Sequence, residues 1–348
     1  MKNIAVFGLG KVGRLAALLL ADRGFNVIGV DKARLENFIL PIQVIDLSDT
    51  SNLETTLDQV DTVVSCLPHN LTLALAEKSY NKGLHYFDLT EDRVTTQKIM
   101  EWSSTSRSVL MPQCGLAPGF ICILGAHLVS ERKKDFHRLG LRVGAIDQVS
   151  QGFLRYSTTW SPEGLVNEYL NPCEVVQDGR IILVPARSGL EKITINGHIY
   201  EAAATSGGLG TLCQTMKHLV PNIDYKSVRY EGHFGRIELM FDNPFINAYP
   251  SLLKKGLQWL SGKAQDDLVV VKAFLENKSG EEESIEKFYY PMTIFGESWH
   301  AISWTTAGSL VAAIELVASK VLPQRGFINQ EQIKLSDFYA THSGSWFK

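Results

Sequence analysis

The sequence predicts an α/β protein: a doubly wound parallel sheet with a second, α+β domain inserted before the chain returns to the first. Three observations carry this. Over the first 120 residues short apolar runs alternate with helical stretches, which implies a parallel sheet with right-handed crossovers. Beyond that point period-2 stretches replace the alternation. Near the end, TTAGSLVAAIELVASKVL (305–322) reads as a small-residue apolar helix suited to packing on the first sheet.

The opening segment, NIAVFGLGKVGRLAALLLADRGFNVIGVD, is the most informative. Residues 4–7 are a short apolar run suited to a strand buried on both faces. Gly8, Gly10 and Gly13 then make GxGxxG. Lys11 and Val12 open a helix in which Leu15, Leu18 and Leu19 recur at helical spacing until Gly24 ends it. Residues 27–30 form a second strand, closed by Asp31. Each part has a physical task. Gly8 makes the tight turn, Gly10 admits a pyrophosphate to the backbone, and Gly13 lets the helix pack closely on the strand. The helix N-terminus offers unpaired N–H groups and partial positive charge to the phosphate. Asp31 stands where a carboxylate accepts hydrogen bonds from a ribose diol. Strand, glycines, helix, strand and acid in register are the Rossmann dinucleotide fingerprint. Asp31 argues for NAD, because a 2′-phosphate would meet its charge. Lys32 and Arg34 partly offset that charge and leave NADP open.

The alternation continues. Residues 42–49 read as a third strand, with Asp46 near its end placed to face the adenine. Residues 61–68 are a fourth, and Ser65, Leu67 and Pro68 fall at the carboxyl edge, where open α/β sheets bind ligands. Residues 70–83 are a helix with Asn70 as its N-cap. Residues 85–92 are a fifth strand carrying Asp88, and 108–115 a sixth. The loop that follows, CGLAPG, holds Gly115, Pro118 and Gly119. Its glycines let backbone approach the nicotinamide or the reacting carbon, or turn the chain toward the second domain, or both.

In that domain 139–146 read as a strand, and KITINGHIY (192–200) places Asn196-Gly197 between apolar-rich arms as a two-residue hairpin. Residues 267–277 and 283–295 flank a turn containing Gly280, with Glu281, Glu282 and Glu283 as a solvated tip. An antiparallel sheet with a few helices is implied. Two stretches concentrate polar and aromatic side chains. In RYSTTWSPEGLVNEYLNP (155–172), Ser161-Pro162-Glu163 starts a helix just after Tyr156, Thr158, Thr159 and Trp160. YKSVRYEGHFGRIELMF (225–241) carries Arg229, Tyr230, His233 and Arg236. Single histidines are more often structural than catalytic, and no metal-ligand spacing joins His69, His85, His233 and His300.

Composition bounds the function. The 348 residues are 45% hydrophobic and 20% charged with a net charge of −3, which points to a globular protein and away from nucleic acid or anionic membranes. Five cysteines without a CxxC pair argue against a disulfide framework or zinc knuckle and for reduced thiols. Met1 and Lys2 run straight into an apolar strand, so no secretory leader is expected. No apolar run approaches a membrane-spanning length of about 18 residues. A cytoplasmic location is expected.

Four features together resemble the saccharopine dehydrogenase family, including its compact lysine 6-dehydrogenase branch. They are GLGKVG near the N-terminus, CGLAPG at 114–119, TWSPEGLVNEY at 159–169, and TSGGLGTL at 205–212 with YKSVRYEGH at 225–233. The resemblance implies a Rossmann domain of residues 1–120 plus 303–348, with 121–302 as a substrate-binding and dimerisation domain. It also implies a homodimer through the inserted sheet, a small amino-acid substrate, and hydride transfer at a carbon bearing nitrogen. One departure is visible. Lysine 6-dehydrogenases tend to carry an acidic and a basic residue where this chain has Gly207 and Gly210, so the chain looks closer to saccharopine-type members.

That chemistry needs the substrate amine neutral, although a free lysine amine has a pKa near 10.4. A base, or an apolar pocket that lowers the amine pKa, is required. Asp88, Tyr156, Arg229 and His233 are the candidate catalytic residues. Arg229 and His233 are expected to handle substrate, with Tyr156 next for proton transfer. Arg155, Arg229 or Arg236 would clamp an α-carboxylate, and Trp160 would wall the pocket. Two other readings stay open: a carboxyspermidine-type reductase and a cofactor-binding sensor without catalysis. The former calls for an acidic substrate pocket. Beyond the glutamate tip, few carboxylates besides Glu163, Glu168, Glu201 and Glu231 are offered.

Overall fold

The protein is described by a computed structural model covering residues 1–348 except 37, 48–49, 133–134, 151, 159–161, 242–248, 250–254, 258 and 262–265. Along the chain the elements run β1 (Asn3–Phe7), α1 (Lys11–Asp22), β2 (Asn26–Asp31), β3 (Ile42–Val44), α2 (Thr50–Leu57), β4 (Thr62–Ser65), α3 (His69–Lys82), β5 (His85–Asp88), α4 (Arg93–Glu101), β6 (Val109–Met111) and α5 (Phe120–Glu131). There follow β7 (Arg138–Asp147), α6 (Pro162–Leu170), β8 (Cys173–Gln177), β9 (Arg180–Val184), β10 (Glu191–Ile195), β11 (His198–Ala204), α7 (Leu212–Met216), β12 (Asn222–Arg229), α8 (His233–Phe241), β13 (Asp267–Glu276), β14 (Glu282–Tyr289), β15 (Met292–Ile294) and β16 (Glu297–Trp299). The chain ends with α9 (Ala301–Ala318), β17 (Gly326–Phe327) and α10 (Leu335–Ala340). Two compact units result: Met1–Ile123 with Ser303–Lys348, and Leu124–Ile302.

In the first unit seven strands form one sheet in the order β17-β6-β5-β4-β1-β2-β3. Every neighbouring pair is parallel. The chain winds outward from β1 through β2 to β3, then reverses and winds from β4 through β5 and β6. The expected doubly wound sheet is therefore present, with its switch point between β1 and β4. Burial of Ala5, Phe7, Val63, Tyr86 and Leu110 in one apolar cluster fixes the register. The third strand is shorter than expected and leaves Asp46 exposed beyond its end. Helix α3 starts one residue before Asn70, with Pro68 as its N-cap.

Helix α9 covers 18 residues, which corrects the expectation that no apolar run approaches that length. It is long and apolar enough to cross a membrane by composition, yet 78% of it is buried inside the protein, as a core helix is. The C-terminal segment docks on the same unit. Glu315 accepts hydrogen bonds from the backbone N–H groups of His342 and Ser343 and from the Ser343 hydroxyl. Phe347 is buried against Phe120, Phe338 and Trp304.

The second unit is built on a mixed sheet of order β10-β11-β12-β7-β13-β14. All its neighbours pair antiparallel except β12 and β7, which are parallel, so the sheet is not purely antiparallel as the period-2 pattern suggested. Parallel and antiparallel strands alternate side chains identically, so periodicity is blind to the difference. Hairpin β10–β11 turns at Asn196 (φ 47°) and Gly197 (φ 77°), as expected. A second hairpin, β8–β9, turns at Asp178 (φ 49°) and Gly179 (φ 75°). The expected strand over 283–295 divides at Pro291 into β14 and the separate ribbon β15–β16. One face of the sheet is charged. Arg142 is fully buried between Glu191 and Asp224, and both Arg138 and Arg142 lie over the Phe274 ring.

Candidate active site

At the switch point of the first unit, β1 ends in a glycine cradle. Gly8 has φ +87°, and a Cβ there would stand 2.7 Å from the Cys66 carbonyl oxygen. A Cβ on Gly13 would stand 1.8 Å from the Gly8 carbonyl oxygen, so only glycine lets α1 cross this close to the turn. Gly10 differs: a Cβ there would meet nothing within 4 Å, so the space above it is open. Gly10 is also the N-cap of α1 and offers no side chain to the first N–H groups of the helix. Lys11 is exposed and Val12 half-buried beside it. The Asp31 carboxylate accepts the Leu9 N–H at 2.7 Å and the Ala33 N–H at 3.0 Å, which ties the end of β2 to the cradle. Across the switch point, Ser65 pairs with Phe7, and the half-buried Leu67 reaches within 3.3 Å of a Cβ built on Gly8. Pro68 is exposed at the start of α3. A backbone opening at a helix N-terminus, a fixed carboxylate at the end of the next strand and an open α/β switch point are what a dinucleotide needs. The residues fit NAD(P).

Asp88 lies at the carboxyl end of β5 and is fully buried. Its side chain accepts from the backbone N–H groups of Thr90 and Gln113, and from the Tyr86 hydroxyl at 3.0 Å. Burial pushes its carboxyl up to about 6, against those three donors. It thus pins the loop after β6. In that loop Gly119 has φ +138° and a Cβ there would stand 1.8 Å from the Gly115 carbonyl oxygen, while Gly115 has only ordinary contacts. The Phe120 N–H closes on the Gly115 carbonyl at 2.9 Å. Pro118 sits inside this closed loop. Gln330, from the returning segment, donates to the Pro112 carbonyl and to Cys114.

The second unit holds a buried polar cluster. Helix α6 contributes Glu168 and Tyr169, β12 ends in Arg229, α8 begins at His233, and Tyr156 precedes α6. The His233 Nδ1–H donates to the Leu154 carbonyl at 2.7 Å. Since a carbonyl only accepts, Nε2 is the unprotonated nitrogen, and it receives the Tyr169 hydroxyl proton at 2.8 Å. Arg229 Nε donates to the same Tyr169 oxygen at 3.1 Å, and Nη1 donates to the Val228 carbonyl. The guanidinium lies 4.7 Å over the Tyr156 ring. Burial, then the nearby Arg229 charge, pulls His233 down to about 3. Burial pushes Glu168 up to about 7, with Arg229 opposing.

Several surrounding contacts hold this cluster. The Glu201 carboxylate on β11 accepts the Gly232 and Phe234 N–H groups and so caps α8. Arg187 donates to the Tyr169 carbonyl and pairs with Glu238 at 2.8 Å. The Ser206 N–H donates to the Glu168 carbonyl at 3.1 Å. In the same loop Gly207 (φ +95°) and Gly210 (φ +54°) are left-handed, and a Cβ on Gly208 would strike the Tyr225 ring at 2.4 Å. The glycines in place of charged residues thus have a local backbone reason.

The structure therefore brings Arg229, His233 and Tyr156 together, and places Asp88 in the other unit. His233 is fully buried with both nitrogens bonded, and Arg229 is 3% exposed with its Nε and Nη1 engaged. Both hydrogen-bond to the Tyr169 hydroxyl inside the second unit. Of the other candidate arginines, Arg155 is exposed and donates to the Glu231 carbonyl, and Arg236 packs over Phe153. Trp160, with Thr159 and Ser161, lies outside the described residues. Glu168 and Tyr169 drew no role from the sequence, although they sit inside the same segment as Trp160.

Two family models match in tandem. One, described as the saccharopine dehydrogenase NADP binding domain, matches residues 4–108, and the saccharopine dehydrogenase C-terminal domain matches 115–342. Among solved structures, an apo histidine-tagged saccharopine dehydrogenase (L-Glu forming) from Saccharomyces cerevisiae superposes with a TM-score of 0.73 at 14% identity, covering 98% of each chain. A homospermidine synthase from Legionella pneumophila, in complex with NAD, superposes with a TM-score of 0.66 at 12% identity, covering 99% of this chain and 89% of its own. At such identities these two likenesses speak for the fold.

Proposed function

The chain belongs to the saccharopine dehydrogenase family of NAD(P)-dependent oxidoreductases, and from that premise we propose that it moves hydride at the amine-bearing carbon of a lysine-pathway amino acid, lysine or saccharopine. Oxidation in this direction gives an imine, which water resolves to a semialdehyde. One observation supports the reading most. The three sequence segments that carry the resemblance in the second unit, at 159–169, 205–212 and 225–233, fold onto one buried polar cluster through Glu168, Tyr169, Ser206 and Arg229.

The first unit binds the coenzyme. Gly8, Gly10 and Gly13 admit its pyrophosphate to the N-terminus of α1, and Asp31 fixes the turn. Bound NAD(P) supplies hydride acceptance and return. The second unit prepares the amine. Leu154, Leu165, Phe234 and Phe241 pack around Tyr156 and Tyr169 in one apolar cluster, which disfavours an unpaired ammonium and lowers its pKa. Arg236, half-buried beside Phe153, takes the substrate carboxylate. A homodimer through the second-unit sheet belongs to the same reading and is checked by light scattering.

The test is a coenzyme-linked panel. Purified protein with NAD or NADP is offered lysine, saccharopine and polyamines, and formation of reduced coenzyme is followed. Turnover with lysine or saccharopine is the expected result. Turnover with polyamines alone transfers the protein to the polyamine reading. Coenzyme binding without turnover on any amine makes it a sensor.

A further inference from the structure

Glu168 stands apart within the second-unit cluster. The residue is 9% exposed, and its Oε2 is buried without a hydrogen-bond donor. The Arg229 Nη2 is 3.7 Å away, at ion-pair range but beyond a hydrogen bond, while the Nε and Nη1 of that guanidinium serve Tyr169 and Val228. A buried carboxylate oxygen lacking a donor is costly, and such a group in a native protein calls for an explanation, a catalytic role among them. The position adds to the cost. Glu168 lies in the last turn of α6, where the helix carbonyls point their negative ends outward and disfavour an anion.

The side chain is also held in place. Its own backbone carbonyl is fixed by Ser206, and the next residue is fixed by Arg187, Arg229 and His233. The charged and titratable groups around it come from every neighbouring element. Tyr169 shares its helix, Arg229 comes from β12, His233 from α8, Arg187 from the segment after β9, and Cys173 from β8. His233, Tyr169 and Cys173 are all shifted by burial toward their neutral forms. Fixed positive charge comes from Arg229 and Arg187 alone among these, and neither gives Oε2 a hydrogen bond.

We propose that Glu168 is the amine-binding carboxylate of this site: its Oε2 accepts an N–H from the substrate's primary or secondary ammonium and takes the proton that must leave before the amine-bearing carbon gives up hydride. In that step the N–H bond breaks, the O–H bond of a carboxylic acid forms, and the nitrogen keeps the electron pair. The proton later passes to water. The inference rests on the amine-oxidising reading, and names the residue that reading lacks. A group titrating near neutrality suits the task, since it is ionised when the amine arrives and protonated when it leaves.

The test compares wild type, Glu168→Gln and Glu168→Asp. Calorimetric titration with L-lysine and with L-norleucine, which replaces the ammonium by a methyl group, reads binding without turnover. Wild type is expected to favour lysine at least tenfold, Glu168→Gln to lose that preference, and Glu168→Asp to keep part of it. The acid limb of kcat/KM near pH 7 disappears in Glu168→Gln, while NAD(P) affinity stays unchanged. An unaltered lysine preference in Glu168→Gln, or an unaltered acid limb, overturns the assignment to Glu168 alone. Wild type that neither binds nor oxidises any amine overturns the functional reading instead.

Discussion

At Gly13 one methyl group decides whether the cradle exists. A Cβ 1.8 Å from the Gly8 carbonyl oxygen has to push α1 away from the turn that receives the pyrophosphate. Gly13→Ala is expected to weaken NAD(P) binding at least tenfold, about 1.4 kcal/mol, measured by calorimetry. Gly24→Ala is the control. Its φ of +87° costs about 1–2 kcal/mol of stability, but a Cβ there meets nothing, so coenzyme affinity should not change. In the second unit two residues give stability an opposite dependence on pH. His233 is held below its unfolded value, so the unfolded chain binds the extra proton, and stability is lost as pH falls from about 6.5 toward 3. Glu168 is held above its unfolded value, so the folded chain binds the extra proton, and stability declines as pH rises from about 4.3 toward 7. Glu168→Gln should therefore gain melting temperature relative to wild type between pH 5 and 8. An unchanged difference would place Glu168 in a solvated site. The cradle glycines were legible because their geometry is local. The burial of Arg229 and His233 was not, since a sequence shows a polar residue but not whether its partners lie inside the protein. Nothing in the sequence sets Glu168 apart from the other carboxylates for the same reason: burial and a missing donor are properties of the fold.

Element by element, local turn chemistry was the most readable signal. Asn196-Gly197 announced its hairpin, and Asp178-Gly179 carries the same signal between the apolar arms of β8 and β9. The parallel pairing of β7 with β12 was illegible, because strand partners thirty or more residues away leave no mark on a two-residue period. The cap of α8 is likewise non-local. Glu201, from β11, satisfies two N–H groups at the start of a helix that carries His233. Glu201→Ala should cost about 1–2 kcal/mol in denaturant unfolding and loosen Tyr169. Loss of stability without any rise in KM for the amine would separate the cap from the site.

For the whole molecule, the division into two units was foreshadowed by the change of period after residue 120 and by the apolar stretch at 305–322. The C-terminal residues carry no sequence signal that fixes their place. Their place follows from Phe347 filling an aromatic cluster with Phe120, Phe338 and Trp304, which no periodicity encodes. Phe347→Ala should destabilise the first unit by about 3–5 kcal/mol, seen as a lower melting temperature and weaker coenzyme binding. The proposed activity is removal of hydride from a carbon next to nitrogen. Lysine and saccharopine deuterated at the amine-bearing carbon, incubated with protein and oxidised coenzyme, test this by mass spectrometry of the reduced coenzyme. One deuterium carried into NAD(P)H is the predicted result, and reduced coenzyme without label, or none at all, contradicts it.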